Sequence, residues 1–307
     1  MIRSSVIIPL FNEVDTIKRL ILSLQDQSMP SDEYQVIAVD DCSTDGTREY
    51  LQSLNFKGNF KLIVQKENLG LSSGRNRGIE ASDSDILLFI DGDMEVGHDW
   101  VASHTLPIEN GEWDGSLGSV THSTLDRTLF IKFLDRSDRG AKKHPNEQVG
   151  HKHFQFWNTS IRKELLTNVG GFDEKISLWG GEDIEMVVRI ENFSHPVLRF
   201  NPKAKAVHYQ ERSLEDTFTL MTNFGAKVVP YLVEKHPFLS KEFKTNYLDN
   251  PISRKVLKMS FFNPIFFQMV KTTYKLMPDV IAFHAIKYLL GYSVFKGYLS
   301  NLIQRAK

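Results

Sequence analysis

Five consecutive apolar residues, Ile86–Ile90, run directly into the polar triplet Asp91-Gly92-Asp93. An uninterrupted apolar run of this length is typical of a strand that is buried on both faces of a parallel sheet. The two carboxylates then stand at the carboxyl end of the strand, where open α/β sheets bind ligands. Because Gly92 lets the backbone turn, we expect Asp91 and Asp93 to converge on one point. Their hard oxygen atoms suit Mg²⁺ or Mn²⁺, although a solvated Asp-Gly turn gives the same pattern.

Three strand-and-helix units precede this strand. Apolar stretches predict strands at Ser5–Pro9, Tyr34–Val39 and Phe60–Val64. The predicted helices run from a cap at Asp15 to about Gln27, from a cap at Thr44 or Asp45 to about Leu54, and from the glycine-rich stretch Asn68–Gly78 to about Ser82. Strands that alternate with helices in this way predict an α/β fold with a mostly parallel, doubly wound sheet and right-handed crossovers.

The predicted topology brings three polar segments, Pro9–Glu13, Asp40–Ser43 and Asp91–Asp93, to one edge of the sheet. Open α/β folds bind nucleotides at such an edge. The chain has no G-x-G-x-x-G after its first strand and no G-x-x-x-x-G-K-[ST] motif. We therefore do not expect a dinucleotide oxidoreductase or a P-loop NTPase.

The middle of the chain mixes strands and loops. The predicted elements are strands at Gly115–Thr121 and Phe154–Ile161, a helix at Arg162–Asn168, and a closing pair of short strands at Val197–Val207. A polar stretch lies between the first two and carries Arg136, Arg139, Lys142, Lys143 and His144. This stretch is either a lid over a ligand or a solvated loop. His208, after the last strand, is either a structural histidine or a metal ligand beside Asp93.

A second acidic motif, Trp179-Gly180-Gly181-Glu182-Asp183, precedes an amphipathic segment that is predicted to be a helix. Acidic side chains are favoured in the first turn of a helix, so capping is one role for this pair. Capping does not account for the tryptophan and the two glycines, which let the backbone approach a ligand. We therefore expect the acidic pair to supply a general base.

Length and composition allow one large domain or two smaller ones in the 307 residues. The single cysteine, Cys42, excludes a disulfide within the chain and fits a reducing compartment. The first apolar run is too short for a signal peptide, and no uncharged apolar run reaches the roughly 18 residues of a membrane-spanning helix. We predict a nucleotide-binding and catalytic domain over residues 1–212 and a helical region over residues 213–307.

The C-terminal region differs in charge from the rest of the chain. Residues 251–307 hold nine Lys or Arg, one Asp and ten aromatic residues, a formal charge of +8, so the other 250 residues carry −9. Basic, aromatic, amphipathic helices are typical of segments that lie on an anionic membrane. The alternative is a helical subdomain that packs on the catalytic domain or on a dimer partner. No recognition motif supports a nucleic-acid partner.

Five motifs resemble, in order and spacing, those of family 2 glycosyltransferases of the GT-A fold. They are Val6–Glu13, Asp40-Asp41-x-Ser43-x-Asp45-Gly46-Thr47, Asn68-x-Gly70 with Arg75-Asn76, Asp91-Gly92-Asp93, and Trp179–Asp183. The resemblance covers residues 4–212. It implies a Rossmann-like GT-A fold, here with a C-terminal helical extension. It also implies an inverting transferase that uses a nucleotide-activated sugar, most often a UDP-sugar, with Mn²⁺ or Mg²⁺.

The resemblance implies a nucleotide-sugar pocket lined by Pro9, Phe11, Glu13, Asp41, Asn68, Arg75, Asp91, Gly92 and Asp93. In such a pocket Asp41 binds the uracil and Arg75 lies near the base and ribose. Asp91 approaches the ribose and the sugar.

The resemblance also implies the reacting groups. Asp93 and His208 are the implied metal ligands. Asp183 matches the catalytic base, and Glu182 matches a residue that binds the acceptor or the sugar. Trp179, Gly180 and Gly181 match the acceptor site.

The chain lacks the Q-x-x-R-W motif of processive synthases, since the comparable region Tyr209–Ser213 has no tryptophan. We therefore expect one sugar, a hexose or N-acetylhexosamine, to be transferred per acceptor. Animal galactosyl- and N-acetylgalactosaminyltransferases also resemble the Trp-Gly-Gly-Glu-Asp form. With the basic C-terminal region, these features predict a peripheral enzyme on the cytoplasmic membrane face that extends a lipid-linked or cell-envelope glycan. The alternatives are a soluble, homodimeric transferase of protein or free glycan, and a non-catalytic sugar-nucleotide-binding module.

Overall fold

The computed structural model describes residues 1–123, 127–136, 140–143, 147–209, 212–260 and 262–305. The chain forms two compact units. The first comprises Met1–Thr124, Asp135–Ser177 and Glu182–Gln210, and the second comprises Leu125–Leu134, Leu178–Gly181 and Glu211–Lys307. Two short segments from the first two thirds of the chain therefore belong with the C-terminal region.

The first unit is built on one mixed sheet of eight strands. In chain order they are β1 (Ser4–Leu10), β2 (Tyr34–Asp40), β3 (Asn59–Val64), β4 (Ile86–Ile90), β5 (Met94–Val96), β6 (Gly115–His122), β7 (Asn158–Arg162) and β8 (Leu198–His208). Their order in the sheet is β3-β2-β1-β4-β7-β6-β8-β5. The strands β1 to β4 are parallel to their neighbours among themselves, as are β6 and β8, whereas β7 and β5 pair antiparallel. The predicted α/β fold is confirmed.

The described helices, in chain order, are α1 (Ile17–Gln25), α2 (Thr47–Gln52), α3 (Leu71–Ala81), α4 (Trp100–Glu109), α5 (Leu129–Leu134), α6 (Lys163–Asn168), α7 (Glu182–Phe193), α8 (Leu214–Asn223), α9 (Val229–Lys235), α10 (Leu239–Glu242), α11 (Asn246–Asp249), α12 (Pro251–Met259), α13 (Pro264–Thr273) and α14 (Asp279–Arg305). Short 3₁₀ turns lie at Gly140–Lys143 and Tyr274–Leu276, and a π turn at Phe224–Val228 joins α8 to α9. Of these helices, α5 and α8 to α14 belong to the second unit.

The strand β4 is buried on both faces, as its sequence predicts. Its five residues are 0–5% exposed. Ile86, Leu88 and Ile90 pack in the cluster that contains α1 and α4, whereas Leu87 and Phe89 pack in the cluster that contains α6 and α7. Burial of such a side chain contributes about 1.5–3 kcal/mol. The Asp91-Gly92-Asp93 turn therefore begins from a rigid support.

A buried polar network fixes the start of β7 beside the end of β4, where Asn158 pairs with Ile90. The Asn158 Oδ1 atom accepts a hydrogen bond from the Trp100 indole at 2.7 Å and lies 2.9 Å from His104 Nε2. Burial lowers the pKa of His104 to about 4, so its ring is neutral at physiological pH. The network holds Trp157, which precedes Asn158, at the same edge of the sheet as Asp91.

Of the two predicted helix caps before α1 and α2, the first differs in the structure. The helix α1 begins after Thr16 and has no side-chain cap, so the predicted cap at Asp15 is wrong; Thr16 instead donates to the Glu13 carboxylate at 2.8 Å. Before α2 stands Gly46, and the Asp45 carboxylate accepts the N–H of Thr47 at 3.0 Å. Asp45, not Thr44, therefore satisfies the first N–H of this helix.

The second half of the sheet also differs from prediction. The strand β7 begins at Asn158, four residues later than expected, and runs antiparallel. The predicted closing pair of strands is the single strand β8, whose pairing with β6 shifts between Gly118 and Ser119. The sequence did not predict β5 or α4.

The described part of the second unit consists of helices and turns around α14. The backbones of α14 and the α8–α9 segment touch at two glycines, Gly225 and Gly297, where there is no room for a side chain. A Cβ atom on Gly297 would lie 2.0 Å from the carbonyl oxygen of Thr222, and one on Gly225 would lie 2.0 Å from that of Val294. Among the described residues, no helix is both long and apolar enough to cross a bilayer.

Candidate active site

The Asp91-Gly92-Asp93 turn connects β4 to β5 at the carboxyl edge of the sheet. The backbone turns at Gly92 as expected, but its φ angle is not positive, so the turn itself does not require a glycine. A Cβ atom at this position would lie 2.2 Å from Leu10 Cδ2, and Gly92 is therefore needed for packing against β1. The Asp91 N–H donates to the Trp157 carbonyl at 3.3 Å, which ties the turn to β7.

Asp93 and His208 meet at this turn. The His208 Nε2 atom lies 3.0 Å from Asp93 Oδ2, and the backbone N–H of Tyr209 donates to the Asp93 carbonyl at 2.9 Å. Pairing of β5 with β8 places Met94, the residue after Asp93, opposite His208. Among the described residues, Asp93 Oδ1 and His208 Nδ1 are buried polar atoms without a hydrogen-bond partner. Asp93 at the turn and His208 at the end of β8 thus place a carboxylate oxygen and an imidazole nitrogen side by side as possible metal ligands.

These two donors fit a divalent cation. Asp93 Oδ2 and His208 Nε2 form a hydrogen bond at 3.0 Å, whereas Asp93 Oδ1 and His208 Nδ1 stay available to an ion. In the described part of the chain, no group of three or more His, Cys, Asp or Glu side chains is arranged to hold a metal ion. Ions such as Mg²⁺ often use one or two protein ligands together with substrate phosphates. Two protein ligands, such as Asp93 and His208, are therefore enough for an ion of this kind.

Two further carboxyl groups, those of Glu13 and Asp91, lie at this edge of the sheet. Burial, and then the neighbouring Asp93 carboxylate, raise the pKa of Glu13 to about 7. Burial also raises the pKa of Asp91 to about 7, although the Arg75 guanidinium acts in the opposite direction. A cation bound between such buried carboxyl groups would favour their ionised form and so lower their raised pKa values.

The loops after β1 and β2 are bound to each other. The N–H groups of Asn12 and Glu13 donate to the hydroxyls of Ser43 and Thr47, at 2.9 and 2.8 Å. Asn12 has a φ of 56°, in the left-handed region that asparagine tolerates better than most residues. These bonds place Pro9, Phe11 and Glu13 beside the second loop, and Phe11 is 46% exposed.

Asp41 lies in the second loop and binds the third. Its carboxylate accepts hydrogen bonds from the N–H groups of Leu69 and Gly70, both at 2.8 Å, and from the Gln65 amide at 2.7 Å. The Asp41 side chain therefore already organises the segment that contains Asn68. The predicted contact of Asp41 with uracil stays a prediction.

Arg75 binds the acidic pair at the start of α7. Its Nη1 atom lies 2.9 Å from Asp183 Oδ1 and 3.2 Å from Glu182 Oε1. Its Nη2 atom donates to the Phe156 carbonyl at 3.2 Å and lies 3.9 Å from Asp91 Oδ1. The resemblance placed Arg75 near the base and ribose, whereas the structure places it between the acidic pair and the Asp91-Gly92-Asp93 turn.

Glu182 is buried and Asp183 is half-buried, and their surroundings disfavour the ionised form of both carboxyl groups. Burial, and then the Asp183 carboxylate, raise the pKa of Glu182 to about 7. Burial likewise raises the pKa of Asp183, while Arg75 lowers it. A carboxylate with a raised pKa is a stronger base than an exposed one, as general-base catalysis near neutral pH requires.

The Trp179-Gly180-Gly181 segment belongs to the second unit. The Trp179 side chain is 42% exposed, and the Arg212 guanidinium lies 5.7 Å from the centre of its ring. Gly180 and Gly181 have φ angles of 87° and 95°, and a Cβ on Gly181 would lie 2.5 Å from Val228 Cγ1. Backbone conformation and packing therefore account for the second glycine. The acceptor role of the segment stays a prediction.

His122 and Asp135 were missed from the sequence. The His122 Nδ1 atom lies 2.7 Å from Asp135 Oδ1, and the His122 ring packs edge-to-face on His208, with ring centres 5.1 Å apart. His122 is the register partner of His208 in the β6–β8 pairing. The available signal was the position of His122 at the end of a predicted strand.

The predicted lid stretch is only partly described. Lys142 donates to the Val120 carbonyl at 2.5 Å, within the first unit. Arg139 and His144 lie outside the described residues, as do Gln210 and Glu211 of the Tyr209–Ser213 stretch. Whether this stretch is a lid or a solvated loop stays a prediction.

Residues 5–170 match the family model "Glycosyl transferase family 2", and residues 144–212 match a model of the N-terminal domain of galactosyltransferase. The chain is 27% identical over 206 residues to glycosyltransferase AglE of Haloferax volcanii, an alignment that covers 64% of this chain and 66% of AglE. It is 29% identical over 269 residues to validoxylamine A glucosyltransferase of Streptomyces hygroscopicus subsp. jinggangensis, with 78% and 62% covered. The chain thus spans about two thirds of these relatives or less.

Known structures share the fold. TarS 1–349 of S. aureus, in complex with UDP-GlcNAc, superposes with a TM-score of 0.58 at 18% identity, covering 100% of this chain and 92% of that one. GalNAc-T7 with UDP, GalNAc and Mn²⁺ superposes with a TM-score of 0.51 at 21% identity, covering 68% and 43%.

Proposed function

The chain belongs to glycosyltransferase family 2, and from this membership we propose that it transfers one sugar, a hexose or an N-acetylhexosamine, from a UDP-sugar to a hydroxyl group of a glycan acceptor. One observation carries the proposal. Asp93, which pairs with His208, shares a turn with Asp91, and Arg75 connects Asp91 to the acidic pair Glu182 and Asp183. A non-catalytic sugar-nucleotide-binding module would need no such acidic pair.

The UDP-sugar is proposed to bind along the carboxyl edge of β1, β2 and β4. UDP-GlcNAc and UDP in the related structures support this choice of donor. Pro9, Phe11 and Asn68 would line the nucleotide side, and Asp41 would contact the uracil. Asp91 and Gly92 would lie nearer to the sugar.

The proposed enzyme depends on Mn²⁺ or Mg²⁺, with Asp93 and His208 as its protein ligands. A bound divalent cation neutralises charge on the diphosphate and makes it a better leaving group. Glu13 supports this assignment, because burial and the negative charge of Asp93 raise its pKa, and a cation beside Asp93 would offset that charge. The Mn²⁺ in the GalNAc-T7 structure also supports it.

Transfer is proposed to proceed by direct displacement with inversion. The acceptor hydroxyl attacks the anomeric carbon from the side opposite the nucleotide, and the bond from that carbon to the phosphate oxygen breaks. Asp183 takes the hydroxyl proton as the new C–O bond forms, and UDP leaves. Glu182 would bind the acceptor or the sugar, and Trp179, Gly180 and Gly181 would contribute the acceptor site. Positioning of the two substrates then supplies much of the rate.

The acceptor is proposed to be lipid-linked or part of a cell-envelope glycan, and the reaction to occur at the cytoplasmic face of a membrane. The second unit supports this, because α12 and α13 expose large apolar side chains at helical spacing: Ile252, Val256, Met259, Ile265 and Met269, each 51–80% exposed. Exposed lysines at positions 255 and 258 accompany them on α12. Such surfaces bind anionic lipid. The free thiol of Cys42 fits the reducing cytoplasm.

The proposal is tested by a donor screen. The full chain is incubated with a panel of sugar nucleotides and candidate glycan acceptors, with Mn²⁺ or with EDTA, and released nucleotide is measured. We expect one UDP-sugar to be consumed only in the presence of the metal, with an inverted product by NMR. If no donor is consumed and UDP with Mn²⁺ does not raise the melting temperature, the transferase proposal is wrong.

A further inference from the structure

Arg75 is almost completely buried, although it carries a permanent charge. Its side chain is 2% exposed, and its Nε atom has no hydrogen-bond partner. Burial disfavours the charged guanidinium, but the neighbouring carboxylates, that of Asp183 foremost, more than offset this and raise the pKa of Arg75. Arg75 is therefore a fixed positive charge inside an acidic pocket.

The surrounding structure holds the guanidinium in place. The rings of Phe172 and Phe156 lie 5.2 and 5.9 Å from its central carbon. The next residue, Asn76, binds both the N–H and the carbonyl of Phe172, at 2.7 and 2.9 Å. The α3 backbone, the two rings and the guanidinium therefore pack together, and Arg75 is the member of this assembly that forms ion pairs with the two carboxylates at the start of α7.

We propose that Arg75 is a positioning residue, whose guanidinium fixes the carboxylates of Glu182 and Asp183 at the start of α7 and keeps Asp183 ionised to receive the acceptor proton. The role deepens the proposed function and rests on it. It differs from the contact with the base and ribose that the family resemblance implies.

The charge balance of the pocket supports this role. Three carboxylates, those of Asp91, Glu182 and Asp183, surround one guanidinium within 3.9 Å. Without Arg75, burial and the mutual repulsion of the two carboxylates would both favour protonation of the acidic pair. A protonated Asp183 cannot take the proton of the acceptor hydroxyl. An opposite charge at such a distance lowers the pKa of an aspartate by about 1–3 units.

A matched control lies two turns further along α7. Arg189 binds Glu185 on the same helix, at 2.6–2.9 Å, and donates to the Gly171 carbonyl at 2.7 Å. This arginine is also largely buried, being 19% exposed, but it is bonded to a carboxylate outside the proposed reaction. Loss of Arg189 should therefore destabilise the fold without affecting the base.

The experiment compares Arg75→Gln, Arg75→Lys and Arg189→Gln with the unmodified full chain. The pH dependence of kcat/KM is measured with the donor found in the screen, and melting temperatures are recorded. For Arg75→Gln we expect the acidic limb of the kcat/KM profile, where activity falls as Asp183 is protonated, to move to higher pH by about 1–3 units. For Arg75→Lys the limb should stay within about one unit, while kcat falls about 100-fold because the planar fork is lost. Arg189→Gln should only lower the melting temperature.

A second readout does not depend on activity. Carboxyl ¹³C NMR, assigned with Asp183→Asn, follows the titration of Asp183 in the same variants, and removal of Arg75 should raise its midpoint. An unchanged limb and midpoint in both Arg75 variants would show that Arg75 is purely structural. If Arg75→Gln does not fold, Arg75→Lys decides alone: a kcat that falls about 100-fold at an unchanged melting temperature supports the positioning role, and an unchanged kcat overturns it. If the unmodified chain consumes no donor while the NMR midpoint still shifts, the proposed function fails and the electrostatic role of Arg75 stands.

Discussion

Asp93 and His208 are 115 positions apart in the chain, yet their side chains lie 3.0 Å from each other. The contact depends on the pairing of the three-residue strand β5 with the end of β8, which sets Met94 against His208. Asp93 and His208, which the sequence motifs identify separately, thus form one pair in the structure. This pair is the point at which metal dependence can be tested by a single substitution.

We expect Asp93→Asn to weaken Mn²⁺-dependent binding of UDP by at least about tenfold, because even outer-sphere partners of metal ligands have effects of about 10–100-fold. Isothermal titration calorimetry with Mn²⁺ and with EDTA measures this. Glu95→Gln is the control, because Glu95 lies on the next strand and binds the Tyr209 hydroxyl at 2.6 Å. Unchanged UDP affinity in Asp93→Asn would remove this residue from the metal site.

Asp183→Asn should abolish sugar transfer while leaving UDP affinity within about twofold of the unmodified chain. Loss of a general base lowers kcat by about 10²–10⁴-fold, and the amide preserves the size of the side chain. Single-turnover kinetics and calorimetry separate the two effects. Glu191→Gln on the same helix serves as the control, since Glu191 pairs with His151. Full activity of Asp183→Asn would contradict the assignment of the base.

At the scale of elements, the first half of the sheet could be predicted and the second half could not. The strands β1, β2 and β4 contain unbroken apolar runs, and in β3 the run Phe60–Val64 is interrupted by Lys61 alone, so the local pattern identifies all four. The strand β5 has three residues, and β7 begins with the polar sequence Asn158-Thr159-Ser160, in which the buried side chains of Asn158 and Ser160 bind partners distant in the chain. Such strands are defined by tertiary contacts that no local pattern encodes.

The same limit applies to the candidate site. Motifs identified Asp91, Asp93, Glu182 and Asp183 as acidic groups at strand or helix ends. The contact of Arg75 with the acidic pair joins residues 107 and 108 positions apart, so no spacing rule could reveal it. The His122–Asp135 pair likewise depends on where a loop returns to the end of β6.

The glycines of α14 make a prediction at the element scale. Gly297→Ala should lower stability by about 1–3 kcal/mol, because its Cβ would lie 2.0 Å from the Thr222 carbonyl and 2.7 Å from the Ala226 nitrogen, which are backbone atoms. Gly291→Ala on the same helix meets nothing within 4 Å and should stabilise by up to about 1 kcal/mol. Urea unfolding of both variants gives the comparison. Equal effects would mean that α14 does not pack closely at Gly297.

At the scale of the whole molecule, an excess of positive charge and a set of exposed apolar side chains occur in the same C-terminal part of the sequence. The last 57 residues carry a formal charge of +8 in a chain of net charge −1. The same region exposes Leu276, Val280 and Ile281, at 55–86%, in addition to the apolar residues of α12 and α13. A dimer interface would explain the apolar side chains alone. An anionic membrane explains both the apolar side chains and the excess of positive charge, and for that reason it is the proposed partner.

Vesicle binding is the test of this partner. The full chain should sediment with vesicles that contain anionic phosphatidylglycerol and not with neutral phosphatidylcholine, and added salt should weaken the binding. Ile252→Ser and Ile265→Ser should each lower the partition coefficient about tenfold, equivalent to about 1.4 kcal/mol. That is near the lower end of the roughly 1.5–3 kcal/mol for complete burial of such a side chain. Leu22→Ser is the matched control, since Leu22 is 63% exposed on α1 of the first unit. A chain that stays in the supernatant as a dimer, and whose dimer is weakened by Ile265→Ser, would show that this surface binds a second copy instead of lipid.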